Sequence, residues 1–402
     1  MLKGRSMSIQ ALSEHYFKRF PNFRAQYACA DAPLAVLRLI ITIPLFKEEA
    51  EYILSSLEEC TVNAPAEIEV LAIVNQAADR PDLQDFHREQ VEALKKRPLK
   101  NGIPLRVISA LDLDPKQAGV GLARKIAMDE ALARLAQIRK DGLIVGLDGD
   151  CKVSKNYLQE LLQAEQSNIN AASLHFEHPL VGLEAREQKN IIDYEIWLRY
   201  YARALQWSGF PFHYLTIGSS MAVRASAYAK IGGMNRRKAG EDFYFLHKLM
   251  PMSNYAELKD LTVFPQARIS DRVPFGTGRA MAEIEAGNKD FSLVYNALIF
   301  NELKSINEIS SRGSVSLNTL SFWTDFLEQE AKFKQSFQSL IERSSEASFA
   351  QNFYYWWDGF KVLKFVHFRA QRHPHQSASA AAEILFGKDL EGMDLLNYLK
   401  SD

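Results

Sequence analysis

An α/β fold, a mostly parallel sheet flanked by helices with a helical C-terminal lobe, is what this sequence predicts. Three observations predict it. Short β-branched apolar runs alternate with helical patterns through the first 150 residues, as βαβ units do. Those runs are apolar at nearly every position, as strands covered on both faces are. From about residue 286 onward the helical period dominates, broken by the turn-rich ISSRGSVSLN.

Residues 1–37 read as a polar, aromatic-dotted extension with one helical segment, ahead of a main domain over 38–285 and a helical lobe over 286–402. VLRLIITIPLF is the first buried strand. It gives way to KEEAEYILSSLEECTV, where Ile53, Leu54, Leu57 and Cys60 recur at helical spacing. IEVLAIVN is the second strand and IPLRVISAL the third, separated by the polar stretch ADRPDLQDFHREQVEALKKRP. AGVGLARKIAMDEALARLAQI is a strong helix pattern, and DGLIVGLDGD the fourth strand. NIIDYEIWLRYYARALQW reads as an aromatic-rich helix, and GSSMAVRASAYAKIGGM as a strand, a short helix and a glycine stop. GVGLA lacks the third glycine of a dinucleotide fingerprint and follows no strand, which argues against a nicotinamide enzyme.

The bulk composition excludes several classes. With 47% hydrophobic and 24% charged residues the chain has the make-up of a soluble globular protein. Its 48 Lys and Arg balance 49 Asp and Glu, so no basic field draws it to nucleic acid. Three scattered cysteines, Cys29, Cys60 and Cys151, argue against a disulfide framework and fit a reducing compartment. The first twenty residues have no apolar core of signal-peptide type, and LRLIITIPLF is too short to span a bilayer. A cytoplasmic protein is expected, with peripheral membrane contact left open.

In open α/β sheets ligands sit beyond the carboxyl ends of the strands. Asp148 and Asp150 fall at such an end, as do Pro44 to Glu48 and Asn75 to Asp79. On an extended strand the two aspartates would point the same way, roughly 6.5 Å apart at Cα. Two carboxylates so placed repel unless something positive lies between them. A divalent cation completed by phosphate oxygens and water answers that need. The bland alternative is a solvated Asp-Gly turn. Glu241-Asp242 opens an apolar-periodic helix, where acids are favoured by the dipole; the functional alternative is a carboxylate base.

Together, the ordered motifs PLFKEE, N after strand two, the GLARK helix, LDGD, GSSMAVR, GGM and ED resemble the family 2 glycosyltransferases of the GT-A, Rossmann-like fold, over about residues 38–285. The resemblance implies an inverting, non-processive transfer of a sugar from a nucleotide-diphosphate donor, a UDP-sugar first, to a hydroxyl on a glycan or glycolipid. It implies Mn²⁺ or Mg²⁺ as cofactor on Asp148 and Asp150, with Asp148 also at the diphosphate. Asp242 becomes the base, with Glu241 beside it near the acceptor. Pro44, Glu48, Asn75 and Arg124 become nucleotide-sugar contacts. The membrane helices and Gln-x-x-Arg-Trp motif of the processive polymer synthases are not seen.

The chain departs from the family pattern at three places. Lys47 stands where relatives often have Asn, Asn75 lies in NQAAD rather than Asp-Asp-Gly-Ser, and Lys125 replaces the Asn of Ala-Arg-Asn. Those departures keep a catalytically silent sugar-nucleotide binder in view, and within enzymes the alternative is a retaining GT-A transferase that shares Asp148 and Asp150 but makes no use of Asp242 as base. ARISDRVPFGTGRA carries Arg268, Arg272 and Arg279 around a glycine-rich turn and is read as a basic segment closing over a diphosphate, with Arg272 foremost. NFYYWWDGF is read as interhelical packing. HPH at His373–His375 is read as a loop without acidic partners, and His175, His178 and His213 as structural.

Overall fold

The computed structural model describes residues 7–20, 23–268, 276–310 and 314–401. The chain divides into two compact units, one from the described residues of Met1–Pro179 and Thr216–Arg268, the other from those of Leu180–Leu215 and Thr277–Asp402.

The first unit is built on an eight-stranded sheet. Its strands are β1 (Leu39–Leu45), β2 (Ile68–Ala77), β3 (Leu105–Leu113), β4 (Leu143–Gly146), β5 (Cys151–Val153), β6 (Ala171–Phe176), β7 (Met221–Arg224) and β8 (Tyr255–Pro265). They lie in the order β3-β2-β1-β4-β7-β6-β8-β5. β3, β2, β1 and β4 run parallel, and so do β6 and β8; β7 is antiparallel to both its neighbours, and β5 is antiparallel to β8. The sheet is thus mostly parallel and flanked by helices, as the alternating pattern predicts. Every residue of β1 is buried, which is why its sequence shows no polar alternation.

Two parts of this unit were not legible in advance. The polar stretch after β2 contains a twelve-residue helix, Gln84–Lys95, whose buried face is only His87, Val91 and Leu94. β8 interleaves Glu257, Lys259 and Asp260 with its apolar residues and leaves them at least partly exposed, so its hydrophobic signal is weak.

The Val120–Gln137 helix sets the position of the site. Its residues Gly121 through Ala136 are all buried, charged ones included. A buried charge is tolerated only when paired and hydrogen-bonded. Arg134 donates to both carboxylate oxygens of Glu69 at 2.7 and 2.9 Å, and Glu130 accepts from Arg24 at 2.7 Å. Lys125 donates to Asp129 at 2.9 Å and to the Tyr16 hydroxyl at 2.6 Å, while Tyr16 and Tyr228 each donate to Asp129 at 2.7 Å. Lys125 therefore anchors the N-terminal Ile9–Arg19 helix to the long helix. Gly233 (φ +70°) completes the fit, since a Cβ there would overlap the Tyr16 hydroxyl.

The second unit is helical. Trp323, Phe326, Phe353, Trp357 and Phe365 are fully buried in one aromatic core, with the Trp323 and Trp357 ring centroids 5.1 Å apart. Two residues of NFYYWWDGF thus sit at the centre of this packing, while Tyr355 remains exposed. The HPH segment does have an acidic neighbour, contrary to expectation: His373 Nε2 lies 3.2 Å from Glu302 Oε1, brought there by the Ala297–Ser310 helix. Among the described residues no helix is long and apolar enough to cross a membrane.

Tyr16→Phe removes one hydroxyl from the buried Lys125–Asp129 cluster. It is expected to lower the unfolding free energy by about 1–3 kcal/mol, read as a shift of the urea midpoint at unchanged m. An unmoved midpoint would mean that the N-terminal helix is not docked there in solution.

Candidate functional site

The sheet brings five segments of the first unit together at one end. Each carries a charged residue, and the local fold explains each placement.

Asp148 and Asp150 are not on a strand. β4 stops at Gly146, and Asp148–Cys151 forms a turn closed by the Cys151 N–H donating to the Asp148 carbonyl at 3.2 Å. The expected same-side pair on an extended strand is therefore replaced by a turn that presents the two carboxylates separately. Gly149 is required at its centre: a Cβ would lie 2.6 Å from the Leu45 side chain and 3.3 Å from the Glu48 carboxylate.

Each aspartate meets its own arginine. Arg124 donates to Asp148 Oδ1 at 2.6 Å and, through its other terminal nitrogen, to the Glu241 carboxylate. Arg124 is buried, and a Cβ on Gly218 would overlap its guanidinium, so this backbone glycine forms part of its seat. Burial disfavours its charge, yet Asp148, Glu241 and Asp242 overcome that and hold it above its ordinary range. Arg124 is therefore an internal cation and not a surface one.

Arg268 donates to Asp150 Oδ2 at 2.9 Å and lies 3.4 Å from Glu48 Oε1. Strand pairing puts it there. β5 begins immediately after Asp150 and pairs antiparallel with the end of β8, Cys151 opposite Pro265. The Gln266 N–H then donates to the Asp150 carbonyl at 3.1 Å, which carries the chain across the turn to Arg268. Arg272, singled out from the sequence, lies outside the described residues. Arg279 pairs within its own helix with Glu283.

Glu48 is fixed from behind, its Oε2 accepting from the Phe46 N–H at 2.9 Å and its carbonyl from Gln90 at 2.6 Å. Lys47, between Phe46 and Glu48, has φ +59°. Asn tolerates that left-handed conformation better than Lys, so an Asn at this position would carry less backbone strain. Pro44 is a buried member of β1 rather than a loop residue, and Asn75 is buried within β2, beside the irregularity between Asn75 and Ala77.

Glu241 and Asp242 open the Glu241–Leu249 helix, entered through Gly240 at φ +67°. Glu241 is buried against Arg124. Asp242 is partly exposed and accepts from the Phe243 N–H at 2.7 Å. Burial, then the charge of Glu241, push its carboxyl up to about 6, while Arg124 and the Phe243 N–H pull it down. A carboxylate poised near neutral pH suits proton abstraction.

Among the described residues no three His, Cys, Asp or Glu side chains converge as a ready-made metal site. His175 pairs with Glu177 at 3.0 Å and His213 with the Phe210 carbonyl at 2.9 Å, so these histidines are held locally. Glu48 and Asp150 nevertheless approach one cationic group from two sides. A hard divalent ion held there would take carboxylate oxygens from these residues and complete its shell with phosphate and water. Glu48 and Asp150 are oxygen donors of the kind such an ion takes.

No family model matches the chain, and no curated protein matches it in sequence. Among solved structures it is similar to S. aureus TarS, with 15% identity over 71% of this chain and 46% of that one, TM-score 0.39. It is similar to S. aureus TarS 1–349 in complex with UDP, with 13% identity over 90% of each chain, TM-score 0.39. It is also similar to a mycobacterial protein, with 12% identity over 72% of this chain and 82% of that one, TM-score 0.35.

A carboxyl raised from 3.8 to about 6 on folding makes stability fall as pH rises through that window, because the folded state then binds more protons. Asp242→Asn removes this penalty. The variant is expected to exceed the wild type by about 1–3 kcal/mol in urea unfolding at pH 7.5 and to equal it near pH 4. Equal stability at both pH values would contradict the raised pKa.

Proposed function

We propose that this chain transfers a sugar, with inversion and without processivity, from a nucleotide-diphosphate donor to a hydroxyl acceptor. One observation carries the reading. Four carboxylates from two distant stretches, Asp148 with Asp150 and Glu241 with Asp242, gather around Arg124 and Arg268, and one of them is poised near pH 6.

Asp242 takes the proton of the acceptor hydroxyl as its oxygen attacks the anomeric carbon of the donor. The bond from that carbon to the diphosphate oxygen breaks, and the diphosphate leaves with the electron pair. No covalent intermediate on the chain is needed, and a single displacement inverts the centre. Glu241 is committed to Arg124 and positions the helix that carries Asp242. Asp148, held by Arg124, shapes the diphosphate side of the site. Mn²⁺ or Mg²⁺, held by Asp150 with Asp148 and Glu48 beside it, would neutralise the departing diphosphate. Arg268, at the same carboxylates, supplies positive charge to that leaving group. A UDP-sugar is the donor expected first.

Binding, turnover and product stereochemistry test this. Calorimetry should find UDP or GDP binding strengthened by Mn²⁺ and lost in Asp150→Ala; absence of binding to either nucleotide under all conditions would remove the reading. With the donor identified, turnover should rise with pH to a plateau above about 6. Asp242→Asn should fall by about 10²–10⁴-fold in kcat with donor binding retained. A retained product anomer, by NMR, would rule out the single displacement.

A further inference from the structure

The segment Asn235-Arg236-Arg237-Lys238-Ala239-Gly240 runs directly into Glu241 and Asp242. It places three consecutive cations on one loop, and that loop is tightly clamped. Asn235 braces both ends: its Oδ1 accepts from the Arg237 N–H at 3.1 Å, and its Nδ2 donates to the Glu241 carbonyl at 2.8 Å. Arg236 donates to Gln117 Oε1 at 2.5 Å, and Lys238 donates to the Pro115 carbonyl at 3.0 Å. The Arg237 guanidinium stacks on the Tyr244 ring, 3.9 Å from its centroid. Gly121 allows the loop's backbone to lie against the long helix, since a Cβ there would overlap the Arg237 carbonyl oxygen.

Each of these partners is neutral: an amide, a carbonyl and a ring. All three cations are exposed, and among the described residues none forms an ion pair with a carboxylate. Asp114, in the facing loop, directs its oxygens to the Lys116 N–H at 3.0 Å and Gln117 Nε2 at 2.9 Å. Holding like charges together costs free energy, and among the described residues Asp114 offsets it only in part: its carboxyl is held below its ordinary range first by Gln117 and the Lys116 N–H, and less by the charges of Lys116 and Lys238. An arginine pre-set on an aromatic face loses little freedom on meeting a carboxylate or phosphate.

The donor diphosphate is not the natural candidate. Its expected counter-charge is Arg268, which reaches Asp150 from the end of β8. The cationic loop is fastened instead to residues 115–121. The loop ends in Asp242, so the molecule it orients is the one Asp242 deprotonates. We infer that the acceptor is an acidic saccharide, bearing carboxylate or phosphate groups, docked by Arg236, Arg237 and Lys238; this rests on the transferase reading above.

The test uses the full chain on immobilised oligosaccharides of three kinds: neutral, uronate-bearing and phosphate-bearing. A twenty-nucleotide oligo-dT and UDP calorimetry serve as controls. The wild type should be retained on one acidic kind at least tenfold more than on the neutral kind, with retention lost in 0.5 M NaCl. The variant Arg236→Gln/Arg237→Gln/Lys238→Gln should lose at least tenfold of that retention with UDP binding unchanged. Arg236→Lys/Arg237→Lys should keep the acidic preference, which a merely structural role for the arginines would not require. Equal retention of neutral and acidic glycans overturns the proposal, as does loss of UDP binding in the Gln variant or stronger retention on oligo-dT. A wild type that retains acidic glycans but binds no nucleotide supports the docking loop and removes the transferase reading, so the two failures are distinguishable.

Discussion

The site depends on one buried guanidinium. Arg124 joins the turn after β4 to the first turn of the Glu241–Leu249 helix, bonding Asp148 with one nitrogen and Glu241 with the other. Without it, two carboxylates from segments almost a hundred residues apart would face each other across a poorly solvated space. Breaking such a pair strands a charge and costs about 3–5 kcal/mol. The rest of the first unit supports that cation: Lys125, the next residue, is locked to Asp129 and Tyr16, and Gly218 leaves room for the guanidinium. The orientation of Asp242 follows from Glu241, and the orientation of Glu241 follows from Arg124.

A second balance, weaker and more exposed, lies on the other side of the turn. Arg268 meets Asp150 and Glu48. Its guanidinium is partly open to water, whereas that of Arg124 is almost closed off. The two arginines therefore differ in kind. Arg124 holds the architecture, and Arg268 stands where ligand charge can exchange with it. Among the described residues Asp242 forms no ion pair of its own, though the Arg124 charge acts on it. That is destabilising at neutral pH, and it suits a residue whose work is to accept a proton.

Much of this could be read from residues in order, and what could not be read has physical causes. β1, β2 and β4 were evident because strands buried on both faces are mostly apolar, and β3 because its apolar residues stand out despite its exposed positions. The four carboxylates were evident because each follows or opens a regular element. The Asp148–Cys151 turn was foreshadowed only by its Asp-Gly pair, since a strand and a turn compete at a strand's end. Arg124 looked like any helix cation, because the burial of the Val120–Gln137 helix comes from its neighbours and not from its own period. Arg268 could be seen only as one of three arginines. What distinguishes it is the pairing of β5 with β8 across more than a hundred residues, which leaves no local trace.

The central claim is that Arg124 holds down the Asp242 carboxyl against burial and the charge of Glu241. It is tested most directly by carbon-13 NMR of protein labelled at aspartate carboxyls, with the Asp242 signal assigned by its loss in Asp242→Asn. In the wild type that carboxyl should titrate at about 6. In Arg124→Gln, with a positive neighbour removed while Glu241 remains, it should titrate higher. An Asp242 signal whose midpoint is the same in both proteins would contradict the account.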